Sequence, residues 1–163
     1  MSSNTVTNET TLKVRGFEVV GDAYRKHPDT EIQLPRRADA GACASDIFSP
    51  VDVVIQPGER VLIWTDVKAY MQPGEVCIAN VRSSHGAPLI RLANTQGWID
   101  QTYYGNAKND GNIGIYVSNE GKETFKIEKG DRIAQLMFIP FLIPDNDDPL
   151  HQERKGGFGS SGK

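Results

Sequence analysis

The chain has 163 residues, 24% of them charged and 38% hydrophobic, the balance of one soluble domain with room for a proper core. Its 18 Lys plus Arg against 21 Asp plus Glu leave a net charge of −3, which excludes the basic footprint that long nucleic acid requires and restricts phosphate binding to a local, geometric site. The longest apolar run, 137–143 broken by Pro140, is too short to cross a bilayer and no leader-like stretch is visible, so a cytoplasmic protein with no membrane partner is expected.

Residues 1–10 are polar and are expected to be disordered. From Thr11 onward, short β-type runs alternate with turn signals. Strands are expected at 12–20, 51–55, 60–65, 76–81, 90–93, 113–117, 124–127 and 132–138. The tetrapeptide Gln-Pro-Gly-Glu occurs at 56–59 and again at 72–75, and Glu-Lys-Gly-Asp at 128–131. Proline presets φ and glycine takes positive φ, so type II turns are expected at the first two. No long window keeps a helical period, and only 139–143 leaves room for a short turn of helix. Many short strands in one domain predict an all-β sandwich, jelly roll or barrel over 11–144. The run 145–149 then reads as a linker, detaching a flexible arm over 145–163 that is long enough to reach a neighbouring subunit. Cys43 and Cys77 sit in unlike contexts and are expected to be free thiols in a reducing compartment.

Five stretches are richer than a β scaffold needs. In the arm, Arg154 offers a fork for phosphate oxygens, Phe158 a face on which a base can stack, and Gly159, Ser160 and Ser161 close approach and hydroxyls. A frayed Gly/Ser-rich terminus has the same composition. Residues 94–105 run from Asn94 through Gly97, Ile99 and Asp100 to Tyr103, suggesting a hairpin whose tip displays Asp100 and Tyr103; taken alone, the stretch reads more simply as a surface hairpin with a solvated Asp. Arg82, Ser83 and Ser84 leave a strand for a Gly turn, either a phosphate site or a plain polar turn. Gln135 interrupts an apolar strand, and Asp46 opens another.

Taken in order, these stretches resemble the five motifs of the trimeric dUTPase family, from about residue 31 to residue 162. Gly97-x-Ile99-Asp100-x-x-Tyr103 resembles the third motif, Arg82-Ser83-Ser84 the second, 130–136 the fourth almost letter for letter, and the arm the fifth. The resemblance implies a jelly roll, a homotrimer with shared active sites, Mg²⁺ on the triphosphate, and hydrolysis of dUTP to dUMP and pyrophosphate. That reaction limits uracil in DNA and supplies dUMP for dTTP synthesis. It assigns Asp100 as the catalytic carboxylate that orients and deprotonates water. Tyr103 matches the ring that packs on deoxyribose, and Asn94, Gly97 and Ile99 the hairpin that grips uracil. Arg82, Ser83, Ser84 and Gln135 match phosphate contacts, and Asp46 an organiser of the site. In the arm, Arg154 falls to the γ-phosphate, Phe158 to uracil, and Gly159, Ser160 and Ser161 to the segment closing over the phosphates. No protein ligand for the metal is implied, since Mg²⁺ keeps water and phosphate oxygens.

The pattern departs from the family at Ala44-Ser45, His85, Tyr104, the extra stretch 106–110 and a fifth motif one residue short, changes that resemble a subgroup of Gram-positive bacteria and their phages. Two rivals share the fold. A dCTP deaminase requires a Glu where Tyr116 stands, and a phenol is a poor proton shuttle. A regulatory protein that binds a repressor would use the extra stretch 106–110 for its contacts.

Overall fold

The computed structural model describes residues 12–150, so the expected disorder of 1–10 and the expected roles of Arg154, Phe158, Gly159, Ser160 and Ser161 lie outside the described residues. The strands are β1 (Gly16–Val19), β2 (Arg36–Arg37), β3 (Ser45–Phe48), β4 (Val53–Ile55), β5 (Arg60–Trp64), β6 (Val67–Tyr70), β7 (Glu75–Asn80), β8 (Ile90–Leu92), β9 (Gly97–Asp100), β10 (Gly114–Asn119), β11 (Phe125–Ile127) and β12 (Arg132–Pro140). Short 3₁₀ turns at Asp22–Tyr24, Ser83–His85 and Gln101–Tyr103 complete the regular structure, with no α-helix among the described residues. The pairs are antiparallel and form sheets β2-β3-β12-β7-β9, β5-β10-β8, β1-β6 and β4-β11. This is the all-β architecture expected from the strand pattern, in the distorted jelly-roll form that the resemblance implies.

The sheets close on a core of β-branched side chains, among them Ile47, Ile55, Ile63, Ile90, Ile115, Val117 and Ile133, each at most 2% exposed. Such side chains fit a pleated surface and lose little rotamer freedom there. In β12 the register shifts between Arg132 and Ala134, a bulge that turns both Ile133 and Ala134 inward.

The expected turns form as their chemistry dictates. Gly58, Gly74 and Gly130 have φ of +82°, +83° and +90°. The N–H groups of Glu59, Glu75 and Asp131 donate to the carbonyls three residues back, at 3.0, 3.2 and 2.9 Å. In each turn the closing carboxylate also accepts the N–H of the first residue, Gln56, Gln72 or Glu128, at 2.8, 3.1 and 2.8 Å. The acidic fourth position is therefore part of the turn.

Three expectations change. The strand expected at 12–20 shrinks to β1, because only Gly16–Val19 joins a ladder, with β6. β6 itself was hidden: the chain turns a corner at Asp66, where φ is +57° on a non-glycine residue, and no Gly or Pro announces it. The helical turn at 139–143 does not form. β12 instead continues to Pro140, whose missing N–H costs least at a strand end, and Phe141, Leu142 and Ile143 emerge exposed.

Both cysteines are free, Cys43 exposed and Cys77 wholly buried, where burial pushes the thiol up to about 12. A disulfide reagent at pH 8 is expected to titrate one thiol in the native protein and two in denaturant. Two rapidly reacting thiols in the native state would contradict the burial of Cys77.

Candidate active site

Residues directly opposed in antiparallel strands project to the same face of a sheet. In the five-stranded sheet Arg36 faces Asp46, Asp46 faces Gln135 and Gln135 faces Asn80, so four polar side chains form one row across β2, β3, β12 and β7. Gln96, just before β9, extends it by donating from Nε2 to Asn80 Oδ1 at 3.0 Å. The reverse face carries Ile47, Ala134, Leu136, Ala79, Cys77 and Ile99 into the core. Asn80 and Gln96 were missed from sequence. Asn80 closes the apolar run Val76-Cys77-Ile78-Ala79, and the logic that singles out Gln135 applies to it equally.

Asp46, 7% exposed, anchors two guanidinium groups. Arg82 donates from Nε to its Oδ1 at 2.9 Å, and Arg132 Nη1 lies 3.5 Å from its Oδ2. Two cations against one carboxylate leave an excess of positive charge, held in place by planar forks suited to phosphate oxygens. Beside them a cavity of about 450 Å³ is lined by Arg36, Arg37, Asp46, Asp131 and Arg132 among others. Asp46 thus gathers Arg82 and Arg132 at one end of the row, and Arg36 stands beside them in register.

Arg82 leads into the 3₁₀ turn Ser83–His85, in which His85 N–H donates to the Arg82 carbonyl at 3.0 Å. Ser83 and Ser84 are exposed, and Arg82 Nη1 reaches Ser84 Oγ at 3.3 Å. His85 turns inward, edge-on to Phe125 with ring centroids 5.7 Å apart. Burial, and secondarily the Arg82 charge, lower its pKa, which keeps the ring neutral and adds no further cation beneath the turn.

The hairpin tip lies elsewhere than expected. The turn is at 93–96, where Thr95 N–H donates to the Leu92 carbonyl at 2.9 Å and Thr95 has φ +68°, so exposed Asn94 stands at the tip. β8 and β9 on its two sides then part: β8 pairs with β10 and β9 with β7. Asp100 is instead the exposed last residue of β9, and Tyr103, in the following 3₁₀ turn, is 6% exposed. Alternation along β9 explains this, with Ile99 in the core and Trp98 and Asp100 on the polar-row face. Asp100 faces Val76, whereas the row passes through Asn80. Four residues at about 3.3 Å each place the carboxylate roughly 13 Å along the sheet from the row.

An all-β jelly-roll domain with one anion-suited sheet face is the class these features define. The chain belongs to the dUTPase family, whose model matches residues 30–162. It is 41% identical over 153 residues to the deoxyuridine 5'-triphosphate nucleotidohydrolase of Lactococcus lactis subsp. lactis (strain IL1403), covering 93% of this chain and 99% of the relative. It superposes on the dUTPase of Streptococcus mutans with a TM-score of 0.70 at 38% identity, over 80% of this chain and 99% of that one. The dUTPase of phage phi11 of S. aureus, in a mutant structure concerned with coordination of a structural Mg(II) ion, matches with a TM-score of 0.65 at 21% identity, over 85% and 98% of the two chains, a likeness of fold alone.

Gly97 opens β9 opposite Ala79, and a Cβ there would meet the Ala79 Cβ at 2.9 Å. Gly97→Ala is expected to lower stability by about 1–3 kcal/mol, read as a shift in the denaturant midpoint. Adding Ala79→Gly should recover a large part of that loss; an unshifted midpoint in Gly97→Ala would show that the strands do not need this close approach.

Proposed function

We propose that the protein hydrolyses dUTP to dUMP and pyrophosphate, and that the observation carrying this reading is the pair of guanidinium groups held by Asp46 on the Gln135 face of a dUTPase-family jelly roll. Arg82, Ser83, Ser84 and Gln135 take the triphosphate oxygens, where fixed cations offset charge that builds on the leaving diphosphate. Asp100 accepts a proton from water as that water attacks the α-phosphorus in line, and pyrophosphate departs opposite. Asn94 at the hairpin tip, with the backbone of Gly97 and Ile99, takes the uracil edge, and Tyr103 closes the space a 2′-hydroxyl would need. Body 11–144 carries these parts, and arm 145–163 adds Arg154, Phe158, Gly159, Ser160 and Ser161 over the bound nucleotide.

The cofactor is Mg²⁺. Among the described residues no group of three or more His, Cys, Asp or Glu converges on a metal position, and the row is rich in cations and amides. That donor set suits an ion that would arrive with the substrate, where it would offset negative charge alongside Arg82 and Arg132. Deamination is disfavoured by Tyr116 in β10, a phenol where that chemistry requires a carboxylate.

The active unit is a homotrimer with shared sites. Support comes from the roughly 13 Å between Asp100 and the phosphate row of its own chain, too long for one substrate phosphate to touch both. Exposed Trp98 (60%), Leu142 (96%) and Ile143 (59%) supply apolar surface for subunit contacts. A cytoplasmic enzyme acting on free nucleotide accords with the composition.

Pyrophosphate release with Mg²⁺ should be fast for dUTP and marginal for dTTP, dCTP and UTP. Asp100→Asn is expected to lower kcat by about 10²–10⁴ while nucleotide affinity persists; wild-type turnover in that variant would remove Asp100 from its role. Truncation after Pro149 should leave the oligomer intact by sedimentation but severely slow. Full activity there would strip the arm of its function.

A further inference from the structure

Between Tyr103 and β10 asparagine recurs at every third position, Asn106, Asn109 and Asn112, and all three converge on Tyr103. Asn106 donates from Nδ2 to the Tyr103 carbonyl at 2.7 Å and to Asn109 Oδ1 at 2.6 Å, while its Oδ1 accepts the N–H groups of Lys108 and Asn109 at 3.1 and 3.2 Å. Asn109 Oδ1 also accepts the Gly111 N–H at 3.2 Å. A backbone N–H only donates, so the oxygen of Asn109 is fixed on that side and its Nδ2 is left to donate to Tyr103 Oη, at 2.7 Å. The phenol O–H itself donates to the Asn112 carbonyl, also at 2.7 Å. One hydroxyl is thus held between a donor and an acceptor, on a ring only 6% exposed.

The clamp is braced at both ends. Asn112 exchanges side-chain bonds with fully buried Asp66, accepting its N–H at 3.0 Å and donating to its carboxylate at 2.8 Å. Asp110, at φ +56°, ties the loop to the rest of the body by accepting from Lys68 Nζ and Gly21 N–H, both at 2.7 Å. Gly111, at φ +85°, lets the loop lie against the Tyr103 backbone, since a Cβ there would meet the Tyr103 carbonyl oxygen at 2.9 Å. Two of these bonds end on the phenol itself, and the others fix the loop that supplies them.

We propose that Asn109, oriented by Asn106, is a positioning residue that holds the Tyr103 ring still and thereby sets selectivity for deoxyribose over ribose in the dUTP hydrolysis proposed above, on which this inference rests. A fixed ring rejects a 2′-hydroxyl because it cannot retreat; a loosened ring gives way and admits it. The effect is on discrimination, since Asn109 is not assigned any contact with the reacting atoms.

The test compares kcat/KM for dUTP and UTP in the full chain and in Asn109→Ala, Asn109→Asp, Tyr103→Phe and the double variant Asn109→Ala/Tyr103→Phe. The Asp variant keeps acceptor oxygens for Asn106 and Gly111 but sets a second acceptor against the phenol, so it reports on the clamp even where the Ala variant fails to fold. The dUTP/UTP ratio is expected to fall about 10-fold in each single variant, chiefly through improved use of UTP, and no further in the double variant than in Tyr103→Phe, which already removes the hydroxyl that Asn109 holds. Equal losses on both nucleotides, with the ratio unchanged, would overturn the positioning role and leave Asn109 a stabilising residue. A full chain that hydrolyses neither nucleotide would sink the functional reading and the inference together, a result distinguishable from the first.

Discussion

The register of β12 between β3 and β7 is the constraint on which the site rests. With Gln135 opposite both Asp46 and Asn80, the polar side chains share one face and Leu136 enters the core with Ala79. A slip of one residue would exchange these sets, placing an amide in the core and a leucine among the arginines. Register here is secured from both sides. The bulge near Arg132 sets the phase at one end, and the apolar face, with Ala134 and Leu136 at 0% and 1% exposure, resists any shift. Packing that stabilises the fold and alignment that builds the site are therefore one arrangement.

Asp46 links this register to charge. It is nearly buried, and Arg82 and Arg132 approach it from the end of β7 and from β12, so the charge taken out of water is paired. Each arginine gains a fixed position and the carboxylate gains compensation. The remaining positive charge faces the cavity, where a polyanion can use it. His85 supports the same loop from below, neutral and set against Phe125, so the strand β11 helps to seat the turn Ser83–His85.

Local chemistry was legible in the sequence where proline, glycine and a following carboxylate coincide, and the turns at Gly58, Gly74 and Gly130 formed as their residues required. Features that depend on distant partners were not. Nothing near Asp66 announces a corner, because an aspartate at φ +57° is sustained by Lys26, His27 and Asn112, far off in the chain. The pairing of β9 with β7, and not with β8, was equally hidden, which is why Asp100 was expected at a hairpin tip. Ordered motifs pointed to Asp46, Arg82, Asp100, Tyr103 and Gln135; Asn80 carried the same local signal as Gln135 outside any motif, and Gln96 joined the row only through the folded turn. The extra stretch 106–110 stood out only as a departure from the family pattern; its asparagines bond inward to Tyr103, a link that depends on the folded loop.

The chain holds just two tryptophans, and their placement has a practical outcome. Trp98 stands 60% exposed on the same sheet face as Asp100, while Trp64 is half-buried in β5, a strand of another sheet. Indole emission depends on how much water surrounds the ring, so one fluorophore watches the face that carries the polar row and the other supplies an internal reference. The molecule carries its own optical probe for whatever comes to cover that face, with no label added.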